Sequence, residues 1–81
     1  MPTLFRDNGV RYFLYSNEGN SRDPIQIHAI KGLCECKIMI DPSPRIVRNA
    51  IFRPAELRDI LRIVGLRHAL IESAWNDHFG N

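Results

Sequence analysis

Apolar and polar residues alternate over positions 25–40, and this alternation constrains the fold more than any other feature of the chain. Lys31 and Gly32 divide the stretch into two runs that suit β-strands joined by a two-residue turn. We pair Ala29 with Cys34 across this turn. The same register then places further apolar side chains on one face: Ile25, Ile27, Cys36, Ile38 and Ile40. The pattern predicts a β-hairpin with one buried side, because a slip of one residue would mix the two faces.

The opposite face of this predicted hairpin is polar, and we expect it to face water. The register pairs Gln26 with Lys37 and His28 with Glu35. A carboxylate across the strand would orient the imidazole, so His28, Glu35 and Lys37 are candidates for acid–base cleavage of a phosphodiester or for holding an anion. The alternative is an ordinary polar cross-strand ladder without chemistry.

Asn8 and Gly9 predict another hairpin, between residues 3–6 and 10–16, because a type I′ turn needs positive φ at both central positions. The expected cross-strand pairs are Phe5 with Tyr12 and Leu4 with Phe13. The second of these strands is apolar on both faces, which favours an interior position in a sheet. Residues 16–24 are polar and are expected to form a surface loop.

A helix is predicted after Pro54, a residue tolerated in the first helical turn, with Glu56 favourable at that end. Apolar residues and one histidine recur at helical spacing: Leu57, Leu61, Val64, His68, Ile71 and Trp75. Gly65 lies within this stripe and favours a bend or a break. The preceding residues 45–52 are compatible with a short helix or an irregular crossing.

These elements predict one α+β domain over residues 1–81. In this fold two consecutive β-hairpins form a small antiparallel sheet, and a long or broken C-terminal helix covers one face. At 81 residues the buried core is small, so self-association is also expected.

The net positive charge comes from the second half of the chain, although the total of +2 is too small to indicate nucleic-acid binding by itself. The segment between residue 44 and His68 contains six arginines: Arg45, Arg48, Arg53, Arg58, Arg62 and Arg67. They are either a solvated surface or a stripe that binds the phosphates of a nucleic acid.

Cys34 and Cys36 are expected to be buried thiols, since the predicted face supplies no further metal ligands. No cofactor or metal is expected. The start of the chain lacks the apolar core of a signal peptide, and no apolar run is long enough to cross a membrane. We therefore expect a cytoplasmic protein.

Several segments resemble a prokaryotic family known as domain of unknown function 4160. They include Met1-Pro2-Thr3, Tyr12-Phe13-Leu14-Tyr15-Ser16-Asn17-Glu18, Ile27-His28, Lys31-Gly32, Glu35 with Lys37, Asp41-Pro42, Arg48-Asn49, Pro54-Ala55-Glu56-Leu57-Arg58, Ala74-Trp75-Asn76 and Phe79-Gly80. The resemblance implies a small cytoplasmic protein without an established activity. Some members occur in toxin–antitoxin-like gene pairs, which implies a role in binding a partner.

The family commonly has two alternating histidines where this chain has Gln26 and His28. The replacement removes half of a pair that could jointly hold a metal or a phosphate.

Three functional hypotheses follow. The first is a non-enzymatic protein-interaction module, of toxin–antitoxin type, that binds the product of a neighbouring gene or forms a homodimer. The second is a nucleic-acid-binding protein that uses the Arg45 to Arg67 stretch. The third is a small ribonuclease-like enzyme centred on His28 and Glu35.

Overall fold

In the part of the chain that the structure describes, five antiparallel strands form one sheet in chain order, and two helices follow them. The computed structural model describes residues 3–15 and 24–80. The elements are β1 (Thr3–Asp7), β2 (Val10–Phe13), β3 (Gln26–Lys31), β4 (Cys34–Met39), β5 (Arg45–Ala50), α1 (Pro54–Leu66) and α2 (His68–His78). The α+β class is confirmed, and the sheet has one more strand than the two predicted hairpins supply. Of the predicted loop at 16–24, residues 16–23 lie outside the described part of the chain.

The turn between β1 and β2 has the predicted backbone conformation. Asn8 and Gly9 both have positive φ, at 51° and 79°, as a type I′ turn requires. The pairing of Phe5 with Tyr12 is confirmed, and their rings stack at a centroid distance of 4.5 Å. The expected pairing of Leu4 with Phe13 is wrong. An irregularity in β1 between Thr3 and Phe5 shifts the register, so Thr3 lies opposite Phe13.

The hairpin of β3 and β4 has a different register from the predicted one. The turn residues are Gly32 and Leu33, so Lys31 pairs with Cys34 and every later pair is displaced by two residues. The structure therefore pairs Ile27 with Ile38 and not with Cys36. A displacement of two leaves each side chain on its own face, because side chains alternate with a period of two. The predicted assignment of side chains to the two faces is therefore correct, although the predicted cross-strand pairs are wrong.

Residues 45–50 form the edge strand β5, so both alternatives predicted for the 45–52 segment, a short helix and an irregular crossing, are wrong. Its register places Arg48 opposite Lys37 and Ile46 opposite Ile38. The ladder is irregular between these pairs, and Val47 lies at the irregularity. A bulge of this kind weakens the local hydrophobic alternation, which is why the strand was not evident from the sequence.

The C-terminal helical stripe is divided into two helices at Arg67. Gly65 remains helical inside α1, so the break follows it by two residues. At the start of α1 the Glu56 side chain accepts a hydrogen bond of 3.0 Å from the backbone N–H of Arg53. This contact and the adjacent Pro54 explain why the helix begins where the sequence predicted.

One buried cluster contains side chains from the sheet and from both helices. We call the sheet face that contributes to this cluster the inner face; its central residues are Tyr12, Ile27, Ala29, Cys36 and Ile38. The helices contribute Ile60, Ile63, Val64, Ile71 and Trp75. Within the described residues no helix has the length and apolar character needed to cross a membrane.

Candidate functional site

The other side of the sheet, which we call the outer face, carries most of the residues singled out for chemistry. Residues directly opposite each other in a sheet share a face. One row crosses all five strands and defines the outer face: Thr3, Phe13, His28, Lys37 and Arg48. The structure therefore brings His28, Lys37 and two of the predicted arginines, Arg45 and Arg48, to one side of the sheet.

His28 is buried, and the expectation that it faces water is wrong. Its exposed fraction is 0% although it lies on the outer face. The imidazole stacks on the Phe13 ring, with 5.5 Å between the ring centroids. The Tyr15 ring packs against it in a T-shaped arrangement, with 4.4 Å between the centroids. Aromatic residues of β2 and its continuation point to both sides of the sheet, so the outer face has a small packed centre of its own.

Glu35 lies beside this aromatic centre and is diagonal to His28. Tyr15 donates a hydrogen bond of 3.2 Å from its hydroxyl to Glu35 Oε2. The same oxygen is 3.8 Å from His28 Nδ1, which is longer than a hydrogen bond. The residue directly opposite His28 is Lys37, and not Glu35 as predicted, because the hairpin register differs by two residues.

His28, Glu35 and Lys37 thus form one cluster, but its imidazole is not accessible in this arrangement. A general acid or base must come within hydrogen-bond reach of the substrate. The Phe13 and Tyr15 rings contact His28, and the imidazole has no exposed surface. The geometry indicates that His28 packs against Phe13 and Tyr15. Lys37, directly opposite His28, is half-buried.

Positive charge dominates the outer face. Of the residues that the structure describes, five cations lie on it: Arg6, Arg11, Lys37, Arg45 and Arg48. Glu35 is its single carboxylate among the described residues. Arg6 lies opposite Arg11, and Arg48 lies opposite Lys37, so like charges face each other across neighbouring strands. Such pairs are mutually repulsive and would be relieved by a bound anion.

The individual cations are held in different ways. Arg6, Arg45 and Arg48 are exposed, while Arg11 and Lys37 are half-buried. The Arg11 guanidinium lies 4.6 Å above the Phe13 ring and donates a hydrogen bond of 2.8 Å to Thr3 Oγ1. A cation fixed in this way needs little further ordering when it binds an anion.

The predicted arginine stretch does not form one continuous surface. Arg45 and Arg48 lie on the outer face, whereas Arg53, Arg58, Arg62 and Arg67 lie at α1 and its ends. Two of this second group already have partners. Arg62 pairs with Asp59 at 2.7 Å, and Arg67 lies 5.3 Å above the Phe5 ring. The chain passes from a strand into helices within this stretch, so neighbours in sequence point to different sides.

Sequence reasoning missed Arg6 and Arg11, which join the outer face from the first hairpin. It also did not assign Tyr15 to the site, whereas Tyr15 contacts His28 and donates a hydrogen bond to Glu35. The sequence did contain a signal for this grouping: Arg11, Phe13 and Tyr15 occupy every second position along one strand and its continuation. Once β2 pairs with β3, this alternation places them on the same side as His28.

Both thiols lie on the inner side, but the expectation that both are buried is confirmed for Cys36 and wrong for Cys34. Cys36 is buried, and the pKa of its thiol is raised to about 12. Burial is the larger cause, and the negative charge of the nearby Glu35 carboxylate is the smaller one. Cys34 is half-buried and lines a surface groove. The described residues contain no group of three or more side chains arranged to hold a metal ion.

Residues 9–76 match the model of a family described as Domain of unknown function (DUF4160). The chain belongs to the DUF4160 family. The match extends from the β1–β2 turn into α2, so four of the five outer-face cations lie in the DUF4160 region and Arg6 lies before it. No curated protein and no solved structure matches the chain.

Proposed function

We propose that the protein is a binding module for single-stranded nucleic acid and that the outer face of the sheet holds the phosphates. One observation carries this proposal. The outer face presents five cations against one carboxylate among its described residues. Arginine, which supplies four of the five, matches the geometry of phosphate oxygens better than a simple point charge does.

The cations form two groups that suit a chain of phosphates. Arg6 and Arg11 lie on β1 and β2, while Lys37, Arg45 and Arg48 lie on β4 and β5. Neighbouring strands are about 4.8 Å apart, so the two groups are separated by roughly 10 Å across β3. A nucleic-acid strand that crosses the sheet would contact both groups.

A single strand fits this surface better than the groove of a duplex. The major groove of B-DNA is about 12 Å wide and admits a helix or a two-stranded ribbon. Five strands at about 4.8 Å spacing are roughly 19 Å across, which is too wide to enter. A flexible single strand can follow the sheet surface.

The aromatic residues favour phosphate contacts over base recognition. Phe13 has an exposed fraction of 1%, so its ring has no free face on which a base could stack. Tyr15 is half-buried and its hydroxyl is bonded to Glu35. We therefore expect binding with little sequence preference and a strong dependence on salt.

Binding without cleavage is supported by the same centre. The imidazole that a ribonuclease would use is enclosed by aromatic rings. A cleavage mechanism at His28 would first require Tyr15 to move away and break its hydrogen bond to Glu35.

The test compares two triple variants that each remove three arginines. One changes Arg6, Arg45 and Arg48 to Gln on the outer face, and the control changes Arg58, Arg62 and Arg67 to Gln. Both lower the net charge by three. Fluorescence anisotropy is measured with a labelled RNA or DNA strand of about 20 nucleotides, longer than the roughly 4–16 that one small domain covers.

The salt dependence gives the expected size of the effect. Five phosphate contacts on a single strand predict a slope near −3.5 when the logarithm of the binding constant is plotted against the logarithm of the salt concentration. This slope corresponds to about a 100-fold loss of affinity between about 50 and 200 mM salt. The outer-face variant should lower the slope to about −1.4, while the control keeps the parent slope. Absence of binding by the parent protein, or equal losses in both variants, would contradict the proposal.

A second candidate function, a protein-interaction module, is favoured by the junction of the two helices. Leu66 and Leu70 are both exposed there, and exposed aliphatic patches mark contacts between proteins. The partner implied by the family resemblance is the product of a neighbouring gene. Mixing the two purified proteins at micromolar concentration should give a complex by size exclusion with light scattering, and separate elution would count against this function.

A further inference from the structure

An exposed aliphatic side chain projects beside an open groove at one end of the sheet. Leu33, in the β3–β4 turn, has an exposed fraction of 88%. The next residue, Cys34, lines a groove of about 500 Å³ together with Ile51, Arg53, Ala55 and Glu56. Ile51 is 66% exposed and has a φ of +80°, a conformation that is unfavourable for a β-branched residue.

We propose that this end of the molecule is a self-association surface, in which Leu33 of each copy enters the groove of the other. In a two-fold dimer the same patch is used by both partners, so the patch must complement itself. A projecting side chain directly beside an apolar groove satisfies that condition. The groove supplies aliphatic contacts from Ile51 and Ala55, and Leu33 supplies the side chain that fits them.

The charges around the groove are also self-complementary. Arg53 and Glu56 both line it and carry opposite charges. Glu56 Oε2 lies 4.0 Å from Lys31 Nζ of its own chain. In the proposed dimer a two-fold axis would add Arg53 of the other copy to this carboxylate, and symmetry would form the second pair at the same time. A second copy of this chain therefore satisfies both the apolar and the charged parts of the surface.

The groove lies on a different surface from the outer-face cations, so the inference is independent of nucleic-acid binding. Cys34 and Lys31 are on the inner side of the hairpin, while Lys37 and Arg48 are on the outer side. Loss of nucleic-acid binding and loss of self-association can thus be measured separately with different variants.

The test measures the oligomeric state of the full chain by sedimentation equilibrium from micromolar to millimolar concentration. A reducing agent is present throughout, because Cys34 lines the groove and its oxidation would link two copies artificially. The test variant is Leu33→Asp. The matched control is Val47→Asp, since Val47 is 49% exposed and lies outside the groove.

The parent protein should form a reversible dimer. Leu33→Asp should raise its dissociation constant at least tenfold, and Val47→Asp should leave it unchanged. Both positions are exposed, so circular dichroism should show a folded chain for each variant. A parent that stays monomeric at millimolar concentration would overturn the inference, as would a dimer that Val47→Asp disrupts as strongly as Leu33→Asp.

Discussion

The two faces of the sheet are built from alternate residues of the same strands, yet they have different chemistry. The inner face presents Ile27, Cys36 and Ile38 to a core that includes residues of both helices. The outer face presents His28, Lys37 and cations from β1, β2 and β5. The difference teaches that the outer face is not simply a polar surface in contact with water, because its centre is packed and its periphery is charged.

The comparison also separates stability from binding. On the inner face a side chain stabilises the fold by excluding water. Among the described residues of the outer face the aromatic centre does so, while Arg6, Arg45 and Arg48 are exposed to solvent. The substitutions below test that division, beginning with the largest expected effect.

Replacing Ile38 with Ala should lower the free energy of unfolding by about 3 kcal/mol, because the side chain has no exposed surface in the core. Arg48→Ala on the outer face is the control and should change it by less than about 0.5 kcal/mol. Urea denaturation of both variants measures the difference. Equal costs would remove the distinction between the two faces.

His28→Ala should lower the free energy of unfolding by about 2 kcal/mol, because the imidazole packs against Phe13 and Tyr15. If His28 instead lay in a row of polar side chains exposed to water, the same substitution would lower the free energy of unfolding by less than about 0.5 kcal/mol. Thermal and urea unfolding distinguish these values. A small cost would mean that the outer face lacks a packed centre.

Raising the pH should destabilise the protein through Cys36 on the inner face. Its folded pKa is raised to about 12 from an ordinary value of 9.0, so between these values the unfolded chain loses a proton that the native chain retains. Stability is therefore complete below about pH 9 and falls above it, by about 1 kcal/mol at pH 10. Urea midpoints from pH 8 to pH 10 measure the fall.

Cys36→Ala is the control for that experiment. It removes the titrating thiol, so its stability should depend less on pH over the same interval even though its absolute stability is lower. An unchanged slope would assign the alkaline loss to another group.

Ile51→Gly should raise the free energy of unfolding by about 0.5–1 kcal/mol, the smallest effect in the series. Ile51 adopts a positive φ of 80° just after β5, where the two faces end. Glycine adopts this conformation without the steric cost that an L side chain carries. Thermal unfolding measures the gain, and a loss of stability would show that contacts of the isoleucine outweigh its backbone strain.

The sequence predicted the faces of the hairpin better than its contacts. Alternation from Ile25 to Ile40 assigned each side chain to the correct side, because that assignment depends only on a period of two. The cross-strand pairs depended on which two residues form the turn. The prediction used Lys31 and Gly32, whereas the structure uses Gly32 and Leu33, and this difference displaced every predicted pair. Local hydrophobicity does not distinguish these two turns.

The candidate site was predicted only in part for a different reason. Burial of His28 depends on Phe13 and Tyr15, which reach it through the pairing of β2 with β3. Arg6 and Arg11 join Arg48 only when five strands form one sheet. Such groupings follow from long-range strand order, which the linear run of arginines did not contain.

The most direct test of the central claim is to map where a single-stranded oligonucleotide contacts the protein, by ¹⁵N NMR titration that includes the arginine side chains. The account predicts that the largest shift changes fall on Arg6, Arg11, Arg45 and Arg48, with Arg58, Arg62 and Arg67 nearly unchanged. Changes concentrated on the helical arginines, or no changes at all, would contradict it.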